Sequence, residues 1–197
     1  MGWRTRFVLF ILCVFLVFVG YVVWIIASTG LVVIPVVSSW AYEKPQPTRF
    51  VGEGVPFGTI AVAQANNSFV SVPETTLTTE LRDSIETNGQ RFFDADRSQV
   101  AVIPNAGIEL YLPVADNASG TAILALLELS VESGVPKISV HSASVGSWNM
   151  PGWMRDKLAG PAMQSLLDKL VEQGGGSFPI ESLRLEQGML IIKLPNA

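Results

Sequence analysis

From Phe7 to Ala27 the chain runs FVLFILCVFLVFVGYVVWIIA, 21 residues without a charge and with hardly a polar atom. A helix needs about 20 such residues, rising ~1.5 Å each, to cross the ~30 Å hydrocarbon core of a bilayer. Backbone groups find no water there, so the run must bond to itself as a helix. Arg4 and Arg6 stand before it and the next charge is Glu43. The excess of positive charge on the leading side predicts that residues 1–6 stay in the cytoplasm and that the rest of the chain lies outside. The rival reading is a cleaved signal peptide. Its apolar core is usually about 7–15 residues long and is followed by a small-x-small site, for which Ser39-Trp40-Ala41 is a poor match. Cys13 follows Leu12, where a lipoprotein box wants a small residue.

Tyr21 and Trp24 fall near the outer end of the run, where amphipathic rings prefer the interface. Residues 28–48 read as a juxtamembrane linker. Its first part, Leu31–Val37 (LVVIPVV), is too short to span and contains Pro35, which leaves a strand, an interfacial skirt or an extension of the anchor open. Glu43-Lys44-Pro45-Gln46-Pro47 reads as a stiff polar spacer that holds a domain off the membrane.

Residues 49–197 read as one α+β domain. Val70 and Val72 alternate with serines. Pro73-Glu74 opens a helix, since proline and an acid suit a first turn. Leu77, Leu81 and Ile85 share one face of it, and Asn88-Gly89 stops it. Val100–Ile103 and Ile108–Leu112 flank a Pro-Asn-Ala-Gly turn and read as paired strands. Thr121–Glu132 and Ile138–Val145 form a longer pair. Trp148-Asn149-Met150-Pro151 begins a second helical region, with Asn149 as its cap. Pro161 interrupts that region, and beyond it Met163, Leu166, Leu167, Leu170 and Val171 make an apolar arc. Ile180–Leu185 and Met189–Leu194 close the chain as a hairpin. The sum is a long antiparallel sheet packed with an early helix and a late amphipathic one.

One strand breaks the pattern of a sheet wetted on one side. Ile123, Ala125, Leu127, Leu129 and Val131 fill one face, yet Ala122, Leu124 and Leu126 make half of the opposite face apolar as well. A helix lying on that half explains this, and so does an apolar groove. In the second reading Leu124 and Leu126 form the floor, Met163 and Leu167 the roof, and Trp148 and Trp153 the mouth, since indole suits a half-wet setting. Core packing is the plainer role for the two tryptophans.

Composition narrows the chemistry. The chain holds 13 basic and 17 acidic residues; after residue 42 the balance is 11 to 17, a net charge of −6. That surface excludes nucleic acid as an expected partner and gives no electrostatic grip on anionic headgroups. The single cysteine lies in the apolar run, so no disulfide can form within the chain. One histidine, His141, without cysteine or a paired acid in sequence reach, makes zinc and haem unexpected. No cofactor or catalytic residue is expected. Asp94 and Asp96 read as turn chemistry, with a calcium pair as the sharper alternative. Asn66-Asn67-Ser68 and Asn117-Ala118-Ser119 are glycosylation sequons that matter only in a eukaryotic secretory route.

The stretch from LELSVESG through ISVHSASVG, the Trp-Asn-Met-Pro-Gly-Trp helix start, an amphipathic helix and IESLRLEQGMLIIK, with DRSQVAVIPNAGIEL before it, resembles envelope proteins of the LmeA and YpmS kinds. Their domains look like part of a tubular lipid-binding, AsmA-like fold. The resemblance covers roughly residues 70–194 and rests on apolar patterning and turns. It implies an anchored protein that binds phospholipid or another amphiphile beside the bilayer, with no catalytic residues to carry over. The alternative expectation is a non-catalytic scaffold that binds another envelope protein through a sheet edge.

Overall fold

The computed structural model describes residues 2–56, 69–132, 134–158 and 180–193. The apolar run forms one helix, α1 (Trp3–Thr29), which extends past Phe7–Ala27 at both ends. Its 27 residues reach roughly 40 Å at ~1.5 Å each. It stops at Gly30, whose φ of 67° needs no Cβ and whose N–H donates to the Ala27 carbonyl. Side chains from Phe7 to Val22 are exposed, and in the last turn Ala27, Ser28 and Thr29 are buried. Among the described residues this is the one helix long and apolar enough to cross a membrane. A short helix, α2 (Val37–Ala41), follows.

The remainder is α+β. In chain order come β1 (Phe69–Pro73), α3 (Glu74–Thr87), β2 (Gln99–Ile103), β3 (Gly107–Pro113), β4 (Ala122–Glu132) and β5 (Val135–Val145). Then follow β6 (Trp148–Asn149), α4 (Gly152–Leu158), β7 (Ser182–Glu186) and β8 (Met189–Lys193). They make two antiparallel sheets, β2-β3-β4-β5-β6 and β1-β8-β7. The closing hairpin therefore does not extend the long sheet, as its alternation alone would allow. It recruits β1 instead, with Val70 opposite Ile192 and Val72 opposite Leu190. Periodicity tells which face of a strand is apolar and is silent on its partner.

The core lies where α3 and the small sheet meet one face of the large sheet. Val72, Leu77, Leu81, Ile85, Val102, Leu110, Ala125, Leu127 and Leu190 are packed together there. The α3 stripe is the one its spacing predicts. A second row on α3 is less obvious. Glu74, Thr78 and Arg82 recur every fourth residue, so they line one side of the helix, and that side faces the outer edge of β2. The Val102 N–H donates to a Glu74 carboxylate oxygen at 2.9 Å. The Val100 N–H donates to the Thr78 hydroxyl at 3.0 Å, and that hydroxyl donates back to the Val100 carbonyl at 3.2 Å. Arg82 donates to the Ser98 carbonyl at 2.9 Å, and Arg49 to the Val102 carbonyl at 2.8 Å. Side chains occupy the positions where another strand would bond. Thr78, one of the threonines that weaken α3 as an isolated helix, serves this edge.

Two local expectations are corrected. Trp148 and Asn149 belong to a strand, opposite Val145 and Ser144, so Asn149 is no helix cap. The helix starts later, at Gly152, directly after Pro151. The amphipathic helix expected beyond Pro161 lies outside the described residues. In the β4–β5 pair the register shifts between Leu126 and Leu127: Leu126 faces Ser142, Leu127 faces Val140, and His141 is the extra residue. That places His141 in a bulge, exposed, with its carbonyl accepting from Arg155.

Candidate functional site

The β2–β3 turn, β4 and β7 enclose an open cleft of about 470 Å³. Its apolar surface comes from Leu129, Leu183 and Leu185; Glu128, Arg184, Glu186 and Asn105 make its polar rim. Alternation puts the leucines inward and the charges outward on β7, and Leu183 and Leu185 lie opposite Ile192 and Leu190 of β8. The volume falls within the roughly 300–1,000 Å³ typical of small-ligand sites. The sequence places Leu183 and Leu185 in the closing hairpin and Leu129 in the longer pair, with no sign of the cleft. The cleft arises from the approach of β7 to β4, two strands of different sheets, which no local pattern encodes.

Of the residues expected to bind ligand, four are described. Leu124 and Leu126 are half-buried on the β4 face turned away from the core, with Tyr111 and Glu109 opposite on β3 and Ser144 and Ser142 opposite on β5. Neither lines the cleft. Trp148 is half-buried in β6, and Trp153 on α4 is 66% exposed. Met163 and Leu167 lie outside the described residues.

The face that carries Leu124 and Leu126 is crossed by the chain that leaves α2. Tyr42 donates from its hydroxyl to the Ser119 carbonyl, and the Glu43 N–H donates to the Ser147 hydroxyl at 2.6 Å. The Thr48 N–H and hydroxyl both donate to the buried Glu109 carboxylate. Gln99 donates to the Arg49 carbonyl and accepts from the Val51 N–H. Residues 42–51, read as part spacer from their prolines and charges, are thus a strap bonded along the sheet. Proline and charge fit an extended strap as well as a free spacer.

Beneath the strap, Tyr111 is buried, with the Arg97 guanidinium nearby. Burial pushes its phenol above the ordinary value of 10.0; Tyr42 and Asp94 add to the shift and Arg97 opposes it. An acid whose pKa is higher folded than unfolded holds its proton more tightly in the native state. Its contribution is complete below the unfolded value and is lost as pH rises through the folded one. The thermal midpoint should therefore fall above pH 10, and Tyr111→Phe should fall less steeply over that range. Equal slopes for the two proteins would remove Tyr111 from the account.

A second bonded feature is the join between α1 and the large sheet. A helix leaves its last four carbonyls without intrahelical donors. Here the Ile26 carbonyl accepts from the Thr29 hydroxyl at 2.7 Å and Ala27 from the Gly30 N–H at 3.3 Å. Ser28 accepts from the Ser147 N–H at 2.9 Å and Thr29 from the Thr121 hydroxyl at 2.5 Å. The Gly30 carbonyl accepts from Ser119. The sheet has come within bonding distance of the helix end because Gly146, φ 58°, leaves room: a Cβ there would stand 2.7 Å from the Ser28 carbonyl oxygen.

Among the described residues no three His, Cys, Asp or Glu side chains gather as a metal site, and the cleft offers a mostly polar lining around three leucines. No protein-family model matches the sequence, and no curated protein matches it either.

Proposed function

We propose that this chain is a single-pass membrane protein whose extracytoplasmic domain, non-catalytic, binds a lipid or another apolar molecule beside the bilayer. The observation that carries the reading is the open cleft between the two sheets, where Leu129, Leu183 and Leu185 come to the surface within a mostly polar lining. An amphiphile fits it by chemistry: the tail covers Leu129, Leu183 and Leu185, and the head meets Arg184, Glu128 and Glu186 at the rim. The uncharged length of α1 supports the anchor, and Arg4 and Arg6 support an inward leading end. The resemblance to LmeA- and YpmS-type envelope proteins points the same way. A scaffold role through strand pairing has less to recommend it at β2, whose outer edge is taken by α3 and Arg49.

The test uses the full chain in nanodiscs loaded with a photoactivatable fatty acid. Label is expected on peptides of the cleft, those holding Leu129 and Leu183–Leu185, besides α1. Ala106 is exposed on the β2–β3 turn at the cleft wall, so Ala106→Trp adds an indole there without emptying any packed site. That variant should lose cleft labelling, keep α1 labelling and shift the thermal midpoint by less than about 1 kcal/mol of stability, as surface changes do. Label confined to α1 in the parent protein overturns the reading.

A further inference from the structure

We propose that Leu31–Trp40 is a second membrane contact, a foot that lies in the interfacial layer of the bilayer α1 crosses; this rests on the anchor reading. Leu31, Val32, Val33, Val36 and Trp40 are all exposed, Val36 at 74% and Trp40 at 82%. They begin one residue after the Gly30 cap, within a stretch that has no charge between Arg6 and Glu43. The segment is no loose loop. The Ile34 N–H donates to the Ser38 hydroxyl and the Ser38 N–H to the Ile34 carbonyl, both at 2.8 Å. Ala41 is buried, and the Tyr42 ring packs on Gly30 so closely that a Cβ there would stand 2.6 Å from its Cδ2. With inner side fixed, the valines and Trp40 are held outward.

Val36 adds an independent observation. Its φ is 70°, a left-handed conformation that is a genuine outlier for a β-branched residue and that glycine would adopt without strain. The isopropyl group at this position is exposed, where water gives it nothing and lipid does. The position leaves little choice of surroundings. The end of α1 is pinned to Ser119, Thr121 and Ser147. Three residues at ~3.6 Å each keep Val33 within about 11 Å of Gly30, and the Tyr42 ring against Gly30 brings the other end of the segment back to the same level. Valine and leucine with a tryptophan at the border suit that layer. The membrane, continuous with α1, is the occupant.

Because Cys13 is the sole cysteine and sits exposed in α1, an environment-sensitive thiol probe can report from chosen depths. Three full-length proteins are labelled in detergent and reconstituted with nitroxide-bearing lipids. One carries the probe at native Cys13; the others have Cys13→Ser with Val36→Cys or with Val135→Cys. Val135 is exposed too, at 55%, but lies at the far end of the β4–β5 hairpin. Cys13 and Val36→Cys should show blue-shifted emission and lose intensity to the lipid quencher, and Val135→Cys should do neither. Trp40→Cys serves as a second foot position should Val36→Cys misfold. An unquenched Cys13 probe removes the anchor itself. A quenched Cys13 with foot probes behaving like Val135→Cys overturns the foot alone. Foot probes shielded from aqueous iodide yet unquenched by lipid overturn it in favour of a protein partner or a second copy.

Discussion

Gly146→Val should destabilise the protein by about 4 kcal/mol, at the upper end of single substitutions. Two costs combine. The left-handed φ of 58° at this position costs an ordinary L-residue roughly 1–2 kcal/mol, and a β-branched one is worse placed still. The added Cβ also lands 2.7 Å from the Ser28 carbonyl oxygen and nearer still to that of Thr29. To make room, the end of α1 must leave the sheet, which strands the bonds from Ser147, Thr121 and Ser119 to the last helical carbonyls. Each such buried group left unpaired costs about 1–3 kcal/mol. Thermal unfolding in detergent reads the loss, and limited proteolysis between Gly30 and Tyr42 reads the opening. Gly20→Ala is the control, since nothing lies within 4 Å of a Cβ there. A Gly146→Val midpoint no lower than the control's would mean that α1 and the sheet are not joined as described.

Glu74→Ala should cost about 3 kcal/mol, with Glu74→Gln about half of that. The Glu74 carboxylate does two things at once: it pairs with the Arg49 guanidinium and accepts the Val102 N–H. Its side chain is 15% exposed, so screening by water is modest. Removing it leaves a backbone donor without an acceptor and a half-buried cation whose Nε already lacks a partner. Glutamine restores an acceptor for Val102 and leaves the cation uncompensated. Denaturant midpoints of the three proteins test the ordering. Equal loss in both variants would assign the whole effect to charge and none to the edge bond.

What the sequence made legible, it did through repetition. An apolar run with no interruption can only be α1, and a stripe at Leu77, Leu81 and Ile85 can only be one face of α3. Turn residues marked the hairpins, and Gly188 adopts the positive φ of 76° that its turn needs. What stayed hidden depended on partners far along the chain. Nothing near Leu183 announces that β8 will pair with β1, or that β7 will approach β4 and leave a cleft. Glu74, Thr78 and Arg82 were readable as a polar row, but their meaning required knowing where the edge of β2 would lie. The bulge at His141 did leave a trace. Inward apolar residues sit at even positions through Ile138 and Val140, then at odd ones from Ala143 to Val145, and a strand changes phase only by inserting a residue. The strap was misread for the opposite reason: Pro45 and Pro47 permit an extended chain and do not say whether it touches anything.

The closed edge of β2 has a consequence for how copies of this protein share a surface. A molecule diluted in three dimensions meets its like seldom; one confined to a sheet of lipid, upright and at a fixed height, meets it often and always in a similar attitude. In that setting a bare strand edge presents its donors and acceptors at the same level on every neighbour, which is the geometry for lateral stacking. Thr78, Glu74, Arg82 and Arg49 turn such collisions at β2 into contacts between side chains that already have partners. If α1 crosses a bilayer as proposed, crowding along that edge would bring neighbours together without zipping them up.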